Sequence, residues 1–312
     1  MRVLFVLLTC VTSALCQERP AIHVNVNLVN VAFTVRDTHG GLATGLTRDD
    51  FEVFEDGVAQ KIEFFARSGD VPLALGLIFD FSGSQEHFLK RHHHDLLQFL
   101  DDVLGQQDRA FLVGFGNHLR LLSDFSPSPG QLVERLTSFE HGNRHFPELG
   151  PLDEERELGT AFYDAIYYSV TEKLAGVSEG RRTLVVFSDG EDNSSAHHMM
   201  DAIEAAQAEN VPVFSIRYTE TNHGRLTARN KYGIRVMERI GRETGGADFD
   251  AEQEDLGTWF RQIGEELRSS YELAYTPANW VRDGSFRKIT VRAKRPELAV
   301  RSRTGYFARP VP

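Results

Sequence analysis

Leu73-Ala74-Leu75-Gly76-Leu77-Ile78-Phe79, followed at once by Asp80-Phe81-Ser82-Gly83-Ser84, decides the fold class of this 312-residue chain. The first seven residues form a short, continuous apolar run that stops at a Gly-containing polar turn. That pattern predicts a strand buried on both faces, as in a parallel sheet. The turn then places one carboxylate and two hydroxyls on alternate residues, so three oxygens can converge on one point. Hard oxygen ligands suit Mg²⁺, with Mn²⁺ or Ca²⁺ as alternatives; zinc would call for Cys or His. One Asp and two Ser cannot hold a cation alone, so the rest of the chain must supply more oxygens.

Two later segments offer them. Thr160 stands in Leu158-Gly159-Thr160-Ala161-Phe162-Tyr163-Asp164-Ala165, and Asp189 in Leu184-Val185-Val186-Phe187-Ser188-Asp189-Gly190-Glu191-Asp192-Asn193. Asp189 repeats the logic of Asp80, because an apolar run delivers a carboxylate to the end of a strand and Gly follows. Around these motifs the chain alternates in the α/β manner. Residues from Phe88 to Leu104 carry apolar side chains at helical spacing, and Phe111 to Phe115 reads as a strand. Thr160 to Leu174 reads as a helix, Leu184 to Phe187 as a strand and His197 to Ala208 as a helix. Val211 to Ile216 is a strand, and Ile234 to Glu243 a helix ending at Gly245-Gly246. Glu254 to Leu267 closes the set as a helix. Such alternation implies a doubly wound, mostly parallel sheet with helices on both faces. Ligands of such sheets sit beyond the C-terminal strand ends, where the winding reverses.

The flanking segments differ in character. Val29, Val31, Phe33 and Val35 share one face at period two, and Phe51 to Val58 reads as a hairpin turning at Asp56-Gly57. Ser270 to Pro277, Arg287 to Lys294 and Leu298 to Phe307 are strand-like. Neither terminal piece has enough strands to bury a core alone. The expectation is an all-β sandwich assembled from residues 17–70 and 270–312, with the α/β domain, residues 71–269, inserted between them.

An Asp-x-Ser-x-Ser motif, a distant Thr and a later Asp-Gly, here Asp80, Ser82, Ser84, Thr160 and Asp189, resemble the von Willebrand factor A (VWA) domain and its metal-ion-dependent adhesion site. The resemblance runs from about Pro72 to Leu267, and the whole chain is similar to a bacterial group of exported A-domain proteins, the VWA-related acidobacterial proteins. It implies a cation held by Asp80 and Asp189 as charged ligands and by Ser82, Ser84 and Thr160 as hydroxyl ligands. It also implies an open coordination position that takes an Asp or Glu carboxylate from a partner protein. In the family, Thr160 and Asp189 would exchange direct for water-bridged contacts, coupling the metal to motion of the last helix.

Residues 1–16 read as an export leader, with Arg2 as its basic start, Val3 to Leu8 as its apolar core and Ala14-Leu15-Cys16 as the cleavage site. A secreted or periplasmic product is expected. Both cysteines, Cys10 and Cys16, fall inside that leader, so the mature chain would hold no disulfide. Lipid anchoring at Cys16 is disfavoured because Ser13-Ala14-Leu15 fits the lipoprotein motif poorly. No later stretch reaches the length of a membrane-spanning helix. The net charge of −11 becomes −12 when Arg2, one of 34 basic residues against 45 acidic, leaves with the leader. An acidic body of this kind repels nucleic acid and anionic lipid.

Weaker signals have plainer readings. Asp192 and Asn193 lack the spacing of a calcium loop and read as a capping loop. Consecutive helical residues point 100° apart, so His92-His93-His94 cannot form one tight site. His197-His198 opens a helix and suggests partial burial, and Glu154, Glu155 and Glu157 suggest a solvated loop. Three functions compete. A non-enzymatic adhesion module is favoured over an envelope scaffold. A Mg²⁺-dependent phosphohydrolase with Asp80 as nucleophile would want a second carboxylate where Ser82 stands. No phosphate-binding loop, Ser-His-Asp motif or His-Glu-x-x-His motif accompanies it.

Overall fold

The computed structural model describes residues 28–67, 71–82, 93–116, 118–151, 159–219 and 225–310. The expected leader with Cys10 and Cys16, Ser84, His92, and Glu154, Glu155 and Glu157 lie outside these residues.

Six strands form the central sheet: β5 (Leu73–Asp80), β6 (Arg109–Phe115), β7 (Leu119–Ser126), β8 (Arg181–Ser188), β9 (Val213–Arg217) and β10 (Asp248–Asp250), in the order β10-β9-β8-β5-β6-β7. All neighbours pair parallel except the edge strand β7, which runs antiparallel to β6. Every residue of β5 is buried, as the unbroken apolar run requires of a central parallel strand. Successive side chains point to opposite faces. Leu73, Leu75, Leu77 and Phe79 enter a core with α1 (His93–Val103), α2 (Pro129–Glu140) and α6 (Leu256–Ser269). Ala74 and Ile78 enter the opposite core with α3 (Phe162–Tyr168), α4 (Met199–Ala208) and α5 (Ala228–Thr244). The helix expected from Thr160 to Leu174 starts at Phe162 and widens into a π-helical turn over Ser169–Leu174.

Two four-stranded antiparallel sheets lie beside this unit. One has the order β13 (Ala299–Ser302), β1 (Val29–Arg36), β11 (Tyr271–Tyr275), β4 (Ile62–Arg67). The other runs β14 (Gly305–Phe307), β12 (Phe286–Ala293), β2 (Phe51–Glu55), β3 (Val58–Gln60). Each sheet takes two strands from before the central sheet and two from after it. Their inner faces share one core that includes Val31, Phe33, Val35, Phe51, Val53, Leu273 and Val291. The buried carboxylate of Glu55 accepts hydrogen bonds from the hydroxyls of Tyr275 (2.8 Å) and Tyr306 (3.0 Å). The fold is therefore a doubly wound α/β unit set within a β-sandwich-like pair of sheets. Leu298 to Phe307, expected as a single strand, is two. The chain crosses between the sheets at Arg303-Thr304, which puts β13 in one and β14 in the other.

Candidate metal centre

The sheet order makes β5 and β8 neighbours, in register from Leu73↔Arg181 to Phe79↔Phe187. From β5 the chain proceeds to β6 on one side, and from β8 to β9 on the other. The winding therefore reverses between these two strands, and a crevice opens beyond their C-terminal ends. Asp80 is the last residue of β5, and Asp189 follows the last residue of β8.

Asp80 has no exposed surface. Its Oδ1 accepts the Ser82 backbone N–H at 2.8 Å, and its Oδ2 accepts the Ser188 hydroxyl at 2.6 Å. The Ser82 side chain also hydrogen-bonds this carboxylate. Burial, helped by the negative charge of Asp189, pushes the Asp80 carboxyl up to about 7, against the opposing pull of the Ser188 and Ser82 hydrogen bonds. Asp189 is nearly buried, and its Oδ1 accepts the Glu191 N–H at 3.0 Å. Gly190 makes that turn with φ of 76°, in the left-handed region that favours glycine.

Thr160 is buried on the same edge and is held by its backbone. Its N–H donates to Asn193 Oδ1 at 2.7 Å, and its carbonyl accepts the N–H groups of Asn193 (3.1 Å) and Ser194 (3.3 Å). The next residue, Ala161, donates to the carbonyl of Gly116 beyond β6 at 2.9 Å. The loops that follow β6 and β8 thus meet at the segment that carries Thr160. Asp192 and Asn193 act as the capping loop expected of them: Asp192 Oδ2 accepts the N–H of Tyr163 in the first turn of α3 at 3.2 Å. A helix N-terminus favours such an acceptor.

Asp164 completes this brace. It is fully buried and accepts from the N–H groups of Ala196 and His197, both at 2.9 Å, and sits 2.8 Å from His197 Nδ1. His197 is half-buried, its ring stacked on Tyr167 with centroids 3.7 Å apart. It is thereby committed to structure.

Of the five expected ligands, Asp80 and Ser82 are directly bonded, Asp189 lies close enough for its charge to act on Asp80, and Thr160 is tied to the loop that follows Asp189. Ser84 lies outside the described residues. Ser188 was not among the expected ligands, yet its hydroxyl holds Asp80. Its signal was a hydroxyl residue between the apolar run of β8 and Asp189-Gly190. The donor set suits a hard dication. Two adjoining carboxylates, one of them buried and raised toward neutrality, gain from a positive charge between them, and the neighbouring donors are hydroxyl oxygens. Among the described residues no three His, Cys, Asp or Glu side chains gather where they could hold a metal ion, so a cation at this crevice would rest on two carboxylates and on hydroxyl oxygens.

No protein-family description matches the chain, and no curated protein does. Solved structures do superpose on it. BatB of Bacteroides thetaiotaomicron is 14% identical, with a TM-score of 0.44, over 62% of this chain and 97% of that one. An aerotolerance-related membrane protein of Bacteroides fragilis is 14% identical, with a TM-score of 0.45, over 62% and 98%. The vWF domain of the type V pili tip protein Mfa5 of Porphyromonas gingivalis is 12% identical, with a TM-score of 0.43, over 62% and 94%. These superpositions are too loose to bear on the site. The strand order and the place of the reversal define a doubly wound α/β fold, here carried on two antiparallel sheets. No helix among the described residues is long and apolar enough to cross a membrane.

Proposed function

We propose that this chain is an exported, non-enzymatic binding module that engages a partner protein through a divalent cation at the β5/β8 crevice. The observation that carries the proposal is Asp80, a wholly buried carboxylate at the sheet's reversal point, beside a second carboxylate and bonded to two serine hydroxyls. Asp80 and Asp189 would supply the charge, and Ser82, Ser84 and Thr160 the hydroxyl oxygens. Mg²⁺ is the expected metal, with Mn²⁺ or Ca²⁺ as substitutes. Once bound, the cation would offer a Lewis-acidic position for an Asp or Glu carboxylate of the partner. The chain's own residues hold that position rigid: Ser188 and Ser82 orient Asp80, while Asn193 fixes Thr160.

A phosphohydrolase using Asp80 as nucleophile fits the geometry poorly. That chemistry wants a second carboxylate two residues after Asp80, and Ser82 stands there, its N–H donating to Asp80 Oδ1. The deciding experiment is calorimetric titration of Mg²⁺ and Mn²⁺ into EDTA-stripped protein, beside Asp80→Ala and Asp189→Ala, each checked for folding by circular dichroism. Saturable binding lost in both folded variants is expected. Absence of binding, or binding unchanged in both, overturns the proposal.

A further inference from the structure

The first turns of α5 wall the metal crevice on one side, and their charge is opposite to that of the chain as a whole. α5 packs directly on the Asp189-Gly190 turn: a Cβ on Gly190 would stand 2.6 Å from the Gly233 carbonyl oxygen. Arg229, in the first turn of α5, pairs through Nε with Glu191, two residues after Asp189, at 2.5 Å. Three residues further on, the Tyr232 hydroxyl meets that of Tyr163, in the first turn of α3, at 3.3 Å. The start of α5 is thus tied to the loop that carries Asp189 and to the helix that follows Thr160.

From Arg225 to Met237 the sequence holds four basic residues, Arg225, Arg229, Lys231 and Arg235, and no acidic one, in a protein with 45 acidic residues against 34 basic. All four are exposed. Glu191 matches Arg229, but Arg225, Lys231 and Arg235 form no ion pair among the described residues. A helix rises about 1.5 Å per residue, so Arg229 and Arg235 stand about 9 Å apart along its axis. Charges that close lie within the screening length of about 10 Å and act together on whatever docks beside them. On an acidic protein this is the surface where a negatively charged partner meets attraction and not repulsion.

Apolar surface accompanies the charge. Leu226 is 41% exposed and Tyr232 56%, three residues to either side of Arg229. An exposed tyrosine offers flat contact area at low entropic cost. The size of the patch argues for a protein segment as its occupant. A nucleic-acid duplex or a lipid surface would extend past these few side chains onto the acidic remainder of the chain, whereas a short acidic segment covers the patch alone.

We infer that the start of α5 reads the residues around the partner's metal-binding carboxylate: the partner is a protein segment with further Asp or Glu beside that carboxylate and an aromatic or aliphatic side chain for Tyr232 and Leu226. This rests on the cation-bridged reading above and names the kind of partner that site takes. Labelled peptides of equal length test it, followed by fluorescence anisotropy on addition of the full chain with Mg²⁺ or with EDTA. One carries a single Asp in a neutral background of Gly and Phe, another adds Glu on both sides of that Asp, and a last one puts Lys in place of those Glu. With Mg²⁺ the Glu-flanked peptide is expected to bind about tenfold more tightly than the single-Asp peptide and the Lys-flanked peptide most weakly, with the differences shrinking as salt rises. Lys231→Gln combined with Arg235→Gln changes exposed side chains only and should remove the gain. If the single-Asp peptide binds with Mg²⁺ but the Glu-flanked peptide binds no better, or if the double variant keeps the gain, the inference is overturned while the metal reading stands. If Mg²⁺ alters the binding of none of the peptides, the metal reading fails and the inference with it. A DNA duplex or phosphatidylserine vesicles binding as well as the Glu-flanked peptide would mark a general polyanion surface and also overturn it. So would the absence of saturable binding of the Glu-flanked peptide up to about 1 mM protein, in which case calorimetry of Mg²⁺ alone decides the metal reading.

Discussion

Gly233→Ala tests whether α5 sets the position of Asp189. On an ordinary helix surface the change would stabilise by about 1 kcal/mol, because alanine loses less backbone freedom than glycine. Gly233 is instead buried against the Asp189-Gly190 turn: a Cβ there would lie 2.3 Å from the Asp189 carbonyl oxygen and 3.4 Å from the Gly190 carbonyl carbon. Non-bonded heavy atoms settle near about 3.5 Å, so helix and turn would have to part by about 1 Å. The neighbour is backbone and cannot swing aside. Overpacking of this kind costs about 1–3 kcal/mol, which outweighs the propensity gain and leaves a net loss of about 1 kcal/mol. The displaced atoms belong to a proposed metal ligand, so Mg²⁺ affinity is expected to fall with stability. Gly130→Ala in the first turn of α2 is the control, since a Cβ there meets nothing within 4 Å and should stabilise. Urea denaturation and Mg²⁺ calorimetry on both variants decide the matter. A Gly233→Ala protein as stable as the parent and binding Mg²⁺ equally well would refute the reasoning.

Asp164→Ala strips the acceptor from the Ala196 and His197 N–H groups and from the His197 ring, all in a buried site, and should destabilise by about 3–5 kcal/mol in urea denaturation. A loss under about 1 kcal/mol would show that the brace carries little load. Glu266 is wholly buried in the last turns of α6 and pairs with Arg36 of β1 and Arg301 of β13. Those arginines remain partly exposed, so Glu266→Ala should cost about 2–4 kcal/mol, somewhat less than breaking a fully buried pair. Burial raises the Glu272 carboxyl above its ordinary value despite the nearby Arg182 and Arg181. A raised carboxyl contributes stability below its unfolded-state value and loses it as pH climbs through the folded-state value. Glu272→Gln should therefore compare better with the parent at pH 7 than at pH 4 in parallel urea melts; the reverse order would contradict the assignment.

How much of this was legible depends on how evenly each element is buried. β5 and β8 are buried along nearly their whole length, so an unbroken apolar run announced them and the carboxylate after each marked the crevice. The β2–β3 turn was legible because Asp56 and Gly57 take φ of 49° and 83°, which few residue pairs accept so readily. β7 went unread. It is an edge strand with irregular register against β6, and its mixed burial leaves no clean alternation. α2 also went unread, although Ser128 caps it by accepting the Gln131 N–H and Pro129 opens it, a start signal that stood in the sequence. β10 has one buried residue, Phe249, and gave periodicity nothing to work on. The bond from Ser188 to Asp80 joins residues 108 positions apart and becomes visible only once β5 and β8 are neighbours.

The junction of the two parts bears on whether metal binding can move the last helix. β4 ends at Arg67, which lies opposite Tyr271, the first residue of β11, so the chain leaves and re-enters the antiparallel sheet on adjacent strands. Ends this close allow a whole α/β unit to be inserted at little loop-closure cost. One residue, Ser270, separates α6 from β11, and Glu266 ties the helix's C-terminal end to β1 and β13. At the other end, Phe260 stacks on Phe99 at 4.6 Å and meets Phe187 edge-on at 5.8 Å, two residues before Asp189. A shift of Asp189 would reach the N-terminal half of α6 through Phe187 and Phe260, while Glu266 resists movement of the C-terminal half. Hydrogen exchange on Mg²⁺ addition should then change over residues 256–260 and little over 265–269. In Glu266→Ala the change should spread along the whole helix. Uniform change over 256–269 in the parent protein would show that Glu266 does not anchor the helix, and no change at either end would separate α6 from the metal altogether.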